Sequence, residues 1–273
     1  MRNMKPIRTI AIASGKGGVG KTNVVANLAI ALQKTGKEVL ILDADLGLSN
    51  VDILLHLAPR YNIQHVISGE KRLSEVIVQG PSGIKVLPAS SGVQELTHLD
   101  AFQRMRLLEE FEAYEGNIDI LLIDTSAGIS ENVAFFCVAS QEIVILTNPE
   151  PTALTDAYAL IKVLFTRYQE KQFRILVNSA RSAADAKEVY RKLSVVTDRF
   201  LNVSLDYLGF IPYDKSIPDA VRAQRPFLQM FPGAAASRAL NGLVARFADP
   251  PEENAKGTLQ FFIGNLVSMA DAR

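Results

Sequence analysis

Apolar residues in this chain fall into short continuous runs that alternate with stretches of helical spacing. Ile7, Ile10, Ala11, Ile12 and Ala13 form the first run and predict a buried strand. Val24, Val25, Leu28, Ala29 and Leu32 then repeat at the period of a helix, which Gly36 stops. Val39-Leu40-Ile41-Leu42 predicts a second buried strand, ending at Asp43. Residues 44–60 read as a loop with one apolar turn, and Asn62 is placed to cap a short helix through Ile67 that Gly69 ends. Short strands are predicted at 76–78 and 84–87, on either side of the turn Gly80-Pro81-Ser82-Gly83. An amphipathic helix over 100–114, with Met105, Leu108 and Phe111 among its apolar contacts, precedes a buried strand over 118–123 that ends at Asp124. Strands at 142–146, 173–177 and 205–211 then alternate with helices at 152–168, capped by Thr152, and 183–196. Two more helices follow, from Ile217 and over 234–247. Strands alternating with helices predict an α/β fold with a mostly parallel central sheet and helices on both faces.

One stretch reads as a linker, Asp249-Pro250-Pro251-Glu252-Glu253-Asn254. It divides the chain into a domain over 1–248, a linker over 249–255 and a C-terminal amphipathic helix over 256–273. In that tail Leu259, Phe262, Ile263, Leu266, Val267 and Ala270 share one helical face, and Lys256 and Arg273 are its only basic residues.

Composition narrows the function classes. The chain has 273 residues, 48% of them hydrophobic, enough for a sizeable core and too many for a disordered chain. Lys plus Arg and Asp plus Glu number 29 each, so no net charge steers the whole molecule to nucleic acid or membrane. Cys137 is the only cysteine, which excludes an internal disulfide and a CxxC metal pair and fits a reducing cytoplasm. Arg2, Lys5 and Arg8 precede an apolar run that flows into a glycine-rich loop, which predicts a strand rather than a signal peptide. No apolar run approaches the ~20 residues of a membrane-spanning helix.

The candidate chemistry lies between the first strand and the first helix. Gly15-Lys16-Gly17-Gly18-Val19-Gly20-Lys21-Thr22 fits the phosphate-binding pattern G-x-x-x-x-G-K-[ST] in its proper strand–loop–helix context. Backbone N–H groups of Gly15, Gly17, Gly18, Val19 and Gly20, together with the helix N-terminus that continues into Asn23, are aimed at phosphate oxygens. Lys21 is placed to reach the β- and γ-phosphates, and the Thr22 hydroxyl to ligate Mg²⁺. Ile120-Leu121-Leu122-Ile123-Asp124 is the strand-then-aspartate pattern whose carboxylate helps hold Mg²⁺. Asp43 and Asp45 stand at the end of the second strand, where ligands of open parallel sheets sit, although an aspartate there also serves to cap a turn.

Lys16 is a second lysine inside the loop. With it, Gly15-Lys16-Gly17-Gly18-Val19-Gly20-Lys21-Thr22 resembles the deviant-Walker ATPases, the family of MinD, ParA and the nitrogenase iron protein. The resemblance covers about residues 7–247. It implies binding of ATP/ADP with Mg²⁺, an ATP-dependent homodimer, and Mg-dependent hydrolysis that is slow unless a partner stimulates it. By resemblance Lys16 reaches across the dimer to the other subunit's nucleotide, as an arginine finger does. Asp45 positions the attacking water, and Asp43 acts near Mg²⁺ through water. Thr125-Ser126-Ala127-Gly128 is similar to the second switch. Asn178 and the stretch Pro212-Tyr213-Asp214 correspond to places that contact adenine, although residues like these also serve as plain turn formers.

Three strings point within the family. Thr147-Asn148-Pro149-Glu150-Pro151-Thr152 through Asp156-Ala157-Tyr158 resembles the MinD branch. Lys21-Thr22-Asn23-Val24 has asparagine where MinD and ParA usually carry threonine. Asp45-Leu46-Gly47-Leu48-Ser49-Asn50-Val51-Asp52 is similar to the flagellar number and placement regulators of the FlhG/FleN group. That resemblance implies a flagellar GTPase, a flagellar switch component or a transcription regulator as partner. No DQAxxLR-like motif precedes the first strand, so stimulation of a partner GTPase is not expected. It also implies a cytoplasmic protein, peripheral at the inner face of the cell membrane. There the tail makes weak, reversible contact with lipid or else packs on its own domain. The alternatives are a cell-division site regulator and a DNA partition ATPase. The latter would use Arg222 and Arg225, which otherwise read as a solvated helix end, and zero net charge makes DNA an unexpected partner. An iron–sulfur reductase is excluded because a bridging cluster needs four thiolates and a pair of chains has two.

Overall fold

The computed structural model describes residues 7–45, 50–88 and 101–248. The linker and tail read from the sequence lie outside them. The elements follow in order as β1 (Arg8–Ser14), α1 (Lys21–Gln33), β2 (Val39–Ala44), α2 (Val51–Leu54), α3 (Ile63–Ile67), α4 (Leu73–Val76), β3 (Val78–Gln79), β4 (Lys85–Leu87), α5 (Ala101–Ala113), β5 (Ile120–Ala127), α6 (Glu131–Ala139), β6 (Glu142–Thr147), α7 (Pro151–Tyr168), β7 (Gln172–Ala180), α8 (Ala183–Phe200), β8 (Ser204–Pro212), α9 (Ser216–Arg222), α10 (Phe227–Met230) and α11 (Ala235–Ala248). The eight strands form one sheet in the order β3-β4-β2-β5-β1-β6-β7-β8. Every pairing is parallel except β3 with β4.

Strand alternation sorts the core onto two faces. On β1, Ile10 and Ile12 join α1, α10 and α11 on one side, while Ala11 and Ala13 join α6, α7 and α8 on the other. Leu40 and Leu42 of β2 meet α3 and α5 on that second side. Both faces of the sheet are thus covered, which is why its strands read as continuous apolar runs. Phe136, Phe173, Phe227 and Phe247 are fully buried, each contributing about 1.5–3 kcal/mol relative to exposure.

The order of strands places the functional end. β1 lies between β5 and β6, and the chain leaves it in opposite directions on its two sides. The loop after β1 therefore sits at a topological switch point, with the carboxyl ends of β2, β5, β6, β7 and β8 around it. At the opposite end of the sheet, buried Glu142 takes Arg8 and Arg174, the latter at 2.7 Å. The same two arginines donate to Phe247 O and to Arg246 O (2.9 Å), closing the end of α11.

Four local expectations change. Val76 ends helix α4 instead of starting a strand, because Glu75 accepts the Arg72 N–H at 2.9 Å and so closes the first turn. Met105 is 58% exposed, and Leu107 and Phe111 make the buried contacts of α5. Thr152 is not the cap of α7: Glu150 occupies that position and Pro151 starts the helix. Helix α6, absent from the periodicity reading, is capped by Ser130, whose hydroxyl accepts from Val133 N at 3.4 Å. Among the described residues, no helix is long and apolar enough to cross a membrane.

Candidate nucleotide site

The loop after β1 has the shape its glycines require. Gly18 and Gly20 take φ of 77° and 89°, in the left-handed region. A Cβ on Gly20 would fall 2.6 Å from Asn178 Nδ2, and one on Gly15 would fall 2.1 Å from the Asp156 carbonyl oxygen. The loop is therefore pressed between β7 and the first turns of α7 (Pro151–Tyr168), and a side chain at either position would push it out.

Above the loop lies a cavity of about 690 Å³. Residues 16–23, Asp45 and Ala127 line one side; Ile53, Leu54, Val221 and Arg222 line the other. Of the residues expected to touch phosphate and metal, Lys21 and Thr22 line this cavity, while Asp43 and Asp124 are not part of its lining. Lys21 Nζ lies 2.5 Å from Asp124 Oδ1, with side chains 7% and 0% exposed. Burial pushes the Asp124 carboxyl above the usual range; Lys21 and the nearby Thr22 hydroxyl draw it back, and Asp45 adds to the rise. Asp124 Oδ2 is buried without a hydrogen-bond partner. An orphaned carboxylate oxygen next to the Thr22 hydroxyl fits Mg²⁺, which keeps most of its shell as water and phosphate and needs few protein ligands.

Asp43 is buried: its Oδ1 accepts Asp45 N at 3.1 Å and its Oδ2 accepts Val51 N at 3.3 Å. Asp45 is left facing the cavity. Lys16 points toward the start of α7, where Nζ meets Glu150 and donates to Thr152 Oγ1 at 2.9 Å. That contact holds the Glu150 carboxyl below the usual range. Glu150 is itself set by Asn148, which donates to its carboxylate at 3.2 Å and accepts its N–H at 3.2 Å.

A second, smaller cavity of about 140 Å³ shares Gly18, Val19, Gly20 and Asn23 with the first and extends to Asn178, Tyr213, Asp214 and Phe227. Asn178 Nδ2 donates to Val19 O at 2.7 Å, and its Oδ1 is buried and unpaired. One N–H of the amide is used on the loop, and the unpaired Oδ1 is an acceptor. It suits the exocyclic amino group of adenine and opposes the carbonyl at that position in guanine. Pro212 ends β8 opposite Ala180 and lies outside the cavity wall, which Ile211, Tyr213 and Asp214 form instead. The Asp214 carboxylate accepts Ser216 N (3.0 Å), Ser216 Oγ (2.6 Å) and Ala236 N (3.1 Å), which ties α9 to α11 and lowers its pKa. It is a wall of this cavity through what it holds in place.

Sequence reasoning missed the far wall and the partners of Lys16. Arg222, weighed for DNA, pairs with Asp219 at 3.1 Å and borders the phosphate cavity. In the sequence Glu150 and Thr152 are marks of the MinD branch, and Thr152 also reads as a helix cap. No local signal ties them to Lys16, from which they are 134 and 136 residues distant.

Comparison with known proteins agrees with the geometry. A family model described as ParA, NUBPL iron-transfer P-loop NTPase, matches residues 5–248. The antiactivator FleN of Pseudomonas aeruginosa is 44% identical over 98% of this chain and 96% of its own length. The flagellum site-determining protein YlxH of Helicobacter pylori is 32% identical over 90% of this chain and 83% of its own. Among solved structures, the septum site-determining protein MinD of Pyrococcus horikoshii, complexed with Mg-ADP, superposes with a TM-score of 0.67 at 26% identity, covering 88% of this chain and 96% of that one. With Cys137 alone and buried, nothing among the thiols matches the iron-transfer part of the family description. The glycine loop clasped by β7 and α7, the buried lysine–aspartate pair and the extent of these matches lead to one assignment: the chain belongs to the ParA family of P-loop NTPases.

Proposed function

We propose that this protein is an ATP-driven dimerising switch that regulates flagellar number or placement. The observation that carries the switch is the contrast between the two loop lysines. Lys21 is buried inside its own cavity, whereas Lys16 stands at the rim with a third of its side chain exposed. A lysine at the rim, held by an exposed glutamate, can turn outward to a second copy docked over the cavity.

In this reading Lys21 leaves Asp124 for the β- and γ-phosphates of ATP, and Asp45 orients the attacking water. The water oxygen bonds to the γ-phosphorus, the bond to the β–γ bridging oxygen breaks, and ADP and phosphate leave. The Thr22 hydroxyl and Asp124 would hold Mg²⁺, which would supply neutralisation of phosphate charge. Asp43 would act near that ion through water, while its oxygens hold backbone N–H groups. Lys16 of each copy stabilises the charge on the other's transferring phosphoryl group. The open acceptor of Asn178 supports adenine as the base, and the Mg-ADP held by the MinD structure supports a magnesium nucleotide.

The flagellar role rests on what the two curated relatives are called, an antiactivator and a flagellum site-determining protein. The first name favours a transcription activator as partner; a flagellar GTPase or switch component are the other classes. Zero net charge gives DNA no general attraction. The place of action is the cytoplasm, with the tail in weak, reversible contact with the inner membrane face. Sedimentation of Asp45→Ala with ADP and with ATP tests the switch: a monomer in ADP and a dimer in ATP are expected. An unchanged sedimentation coefficient in the two nucleotides refutes it.

A further inference from the structure

Two buried or half-buried asparagines of α1 (Lys21–Gln33) are not used by the chemistry above, and their hydrogen bonds form a chain with a fixed direction. Asn27 is fully buried. Its Oδ1 accepts the backbone N–H of Leu228, in α10, at 2.9 Å. Its Nδ2 donates to Asn23 O at 2.8 Å and to Asn23 Oδ1 at 2.9 Å. A backbone N–H only donates, so the Asn27 atom facing Leu228 is the oxygen and the other arm is the NH₂ group. That NH₂ group faces Asn23, so the Asn23 atom facing it must be its oxygen. The remaining arm of Asn23 is therefore an NH₂ group with two donors. Polarity is relayed from a main-chain N–H on α10 to a side chain that lines both cavities of the nucleotide site.

We propose that Asn23 grips a phosphate of the bound nucleotide with these N–H groups, and that Asn27 is the positioning residue that keeps the Asn23 amide from turning its oxygen to the anion. The inference rests on the nucleotide reading above. An amide free to rotate would present a carbonyl to phosphate about as readily as an NH₂ group. Fixing it removes the unfavourable arrangement and the ordering cost of binding. A threonine hydroxyl at the same place needs no such relay, because it rotates to donate wherever an acceptor lies. The asparagine in Lys21-Thr22-Asn23-Val24 and the asparagine one turn later thus make one device. Through Leu228 it also ties the nucleotide to α10, which follows the cavity-wall residues Val221 and Arg222.

The test is equilibrium binding of a fluorescent ADP, with Mg²⁺, to the full chain. The forms compared are the wild type, Asn27→Asp, Asn27→Ala, Asn23→Thr and the two doubles. Asn27→Asp still accepts from Leu228 but has no donor for Asn23; Asn27→Ala removes the relay without adding charge. Each is expected to weaken ADP binding about tenfold, the effect of losing one good hydrogen bond to an anion. In the Asn23→Thr background both are expected to cost less than about threefold, because the hydroxyl orients itself. Thermal unfolding selects the variants that remain folded, and the alanine series stands alone if the buried aspartate is not tolerated. Equal losses in both backgrounds, or no loss in the first, overturn the relay while wild-type binding upholds the nucleotide site. A wild type that does not bind ADP overturns both.

Discussion

Replacing Lys21 by methionine isolates the electrostatics of the site from its chemistry. In the wild type the Asp124 carboxyl is fully buried and Lys21 is its ion-pair partner. Burial already raises the Asp124 pKa, and Lys21 is the main influence drawing it down. Lys21→Met leaves a buried carboxylate with no cation, a change that costs about 3–5 kcal/mol when the carboxylate stays charged. The carboxyl can instead take a proton. A carboxyl whose folded pKa is raised contributes a penalty that is absent below the ordinary carboxylate range, grows as pH rises and is complete above the folded pKa. Removing Lys21 raises that pKa further, so the destabilisation of the variant relative to wild type should grow between pH 5 and pH 8. One proton limits the slope to about 1.4 kcal/mol per pH unit, which spans the whole expected loss over this window. Urea unfolding at both pH values is the assay, with a midpoint roughly 1–2 M lower for the variant at pH 8 and much of it recovered at pH 5. Lys21→Met combined with Asp124→Asn should recover at least half of the loss at pH 8. A loss of equal size at both pH values, or a double variant no more stable than the single one, refutes the buried-charge account.

Three further outcomes follow from the site and the tail. Lys16→Ala should bind ADP within about threefold of wild type yet fail to dimerise or hydrolyse ATP, since only an exposed pair within its own chain is lost; wild-type turnover would remove Lys16 from the reaction. Asn178→Ala should narrow the preference for ATP over GTP by about tenfold in competition binding, because one acceptor for the adenine amino group is gone; an unchanged ratio would place base selection elsewhere. Phe262→Glu should abolish ATP-dependent pelleting with anionic liposomes if the tail is the membrane contact, and equal pelleting would assign that contact to another part of the chain.

How much was legible follows from how local each signal is. The glycine loop, Lys21 and Thr22 lie within eight consecutive residues, and the flanking strand and helix have unambiguous periods. Asp43 and Asp124 were legible as carboxylates near the carboxyl edge of a parallel sheet, although β2 runs on to Ala44 and β5 to Ala127. Helix α6 was not readable: Val133, Ala134, Phe135, Phe136 and Cys137 are all buried, so it has no polar face to set a period. At 76–78 the β-branched residues favoured a strand, but Glu75 closed a helical turn and Leu73 N found Glu110 at 2.8 Å, a partner 37 residues away. Pro212-Tyr213-Asp214 reads as following the last strand; β8 runs through Pro212, and Asp214 just beyond it accepts the distant Ala236 N–H, a partner that no local pattern reveals. Asn27 carries no local signal of a role, and only the arrival of α10 over it gives its polarity a purpose.

Lys16 and Lys21 sit five positions apart on one loop, and their surroundings separate their roles. A lysine that must release its carboxylate inside the protein can do so only if another anion takes its place at once, because an unpaired buried charge is costly. In the proposed switch Lys21 would exchange Asp124 for phosphate in a single act, and Asp124 would then be left to help hold the metal. Lys16 has no such constraint. Its partner Glu150 is in solvent with a side chain 56% exposed, where water replaces a lost cation at little cost. Glu150 and Thr152 also stand at the start of α7, whose Asp156 carbonyl lies against Gly15. The residues that hold Lys16 in its own chain are thus mounted on the element that braces the loop from below. In the proposed switch, movement of the loop around phosphate would be transmitted to the grip on Lys16, so that the filled site and the outward-turned lysine would favour one another.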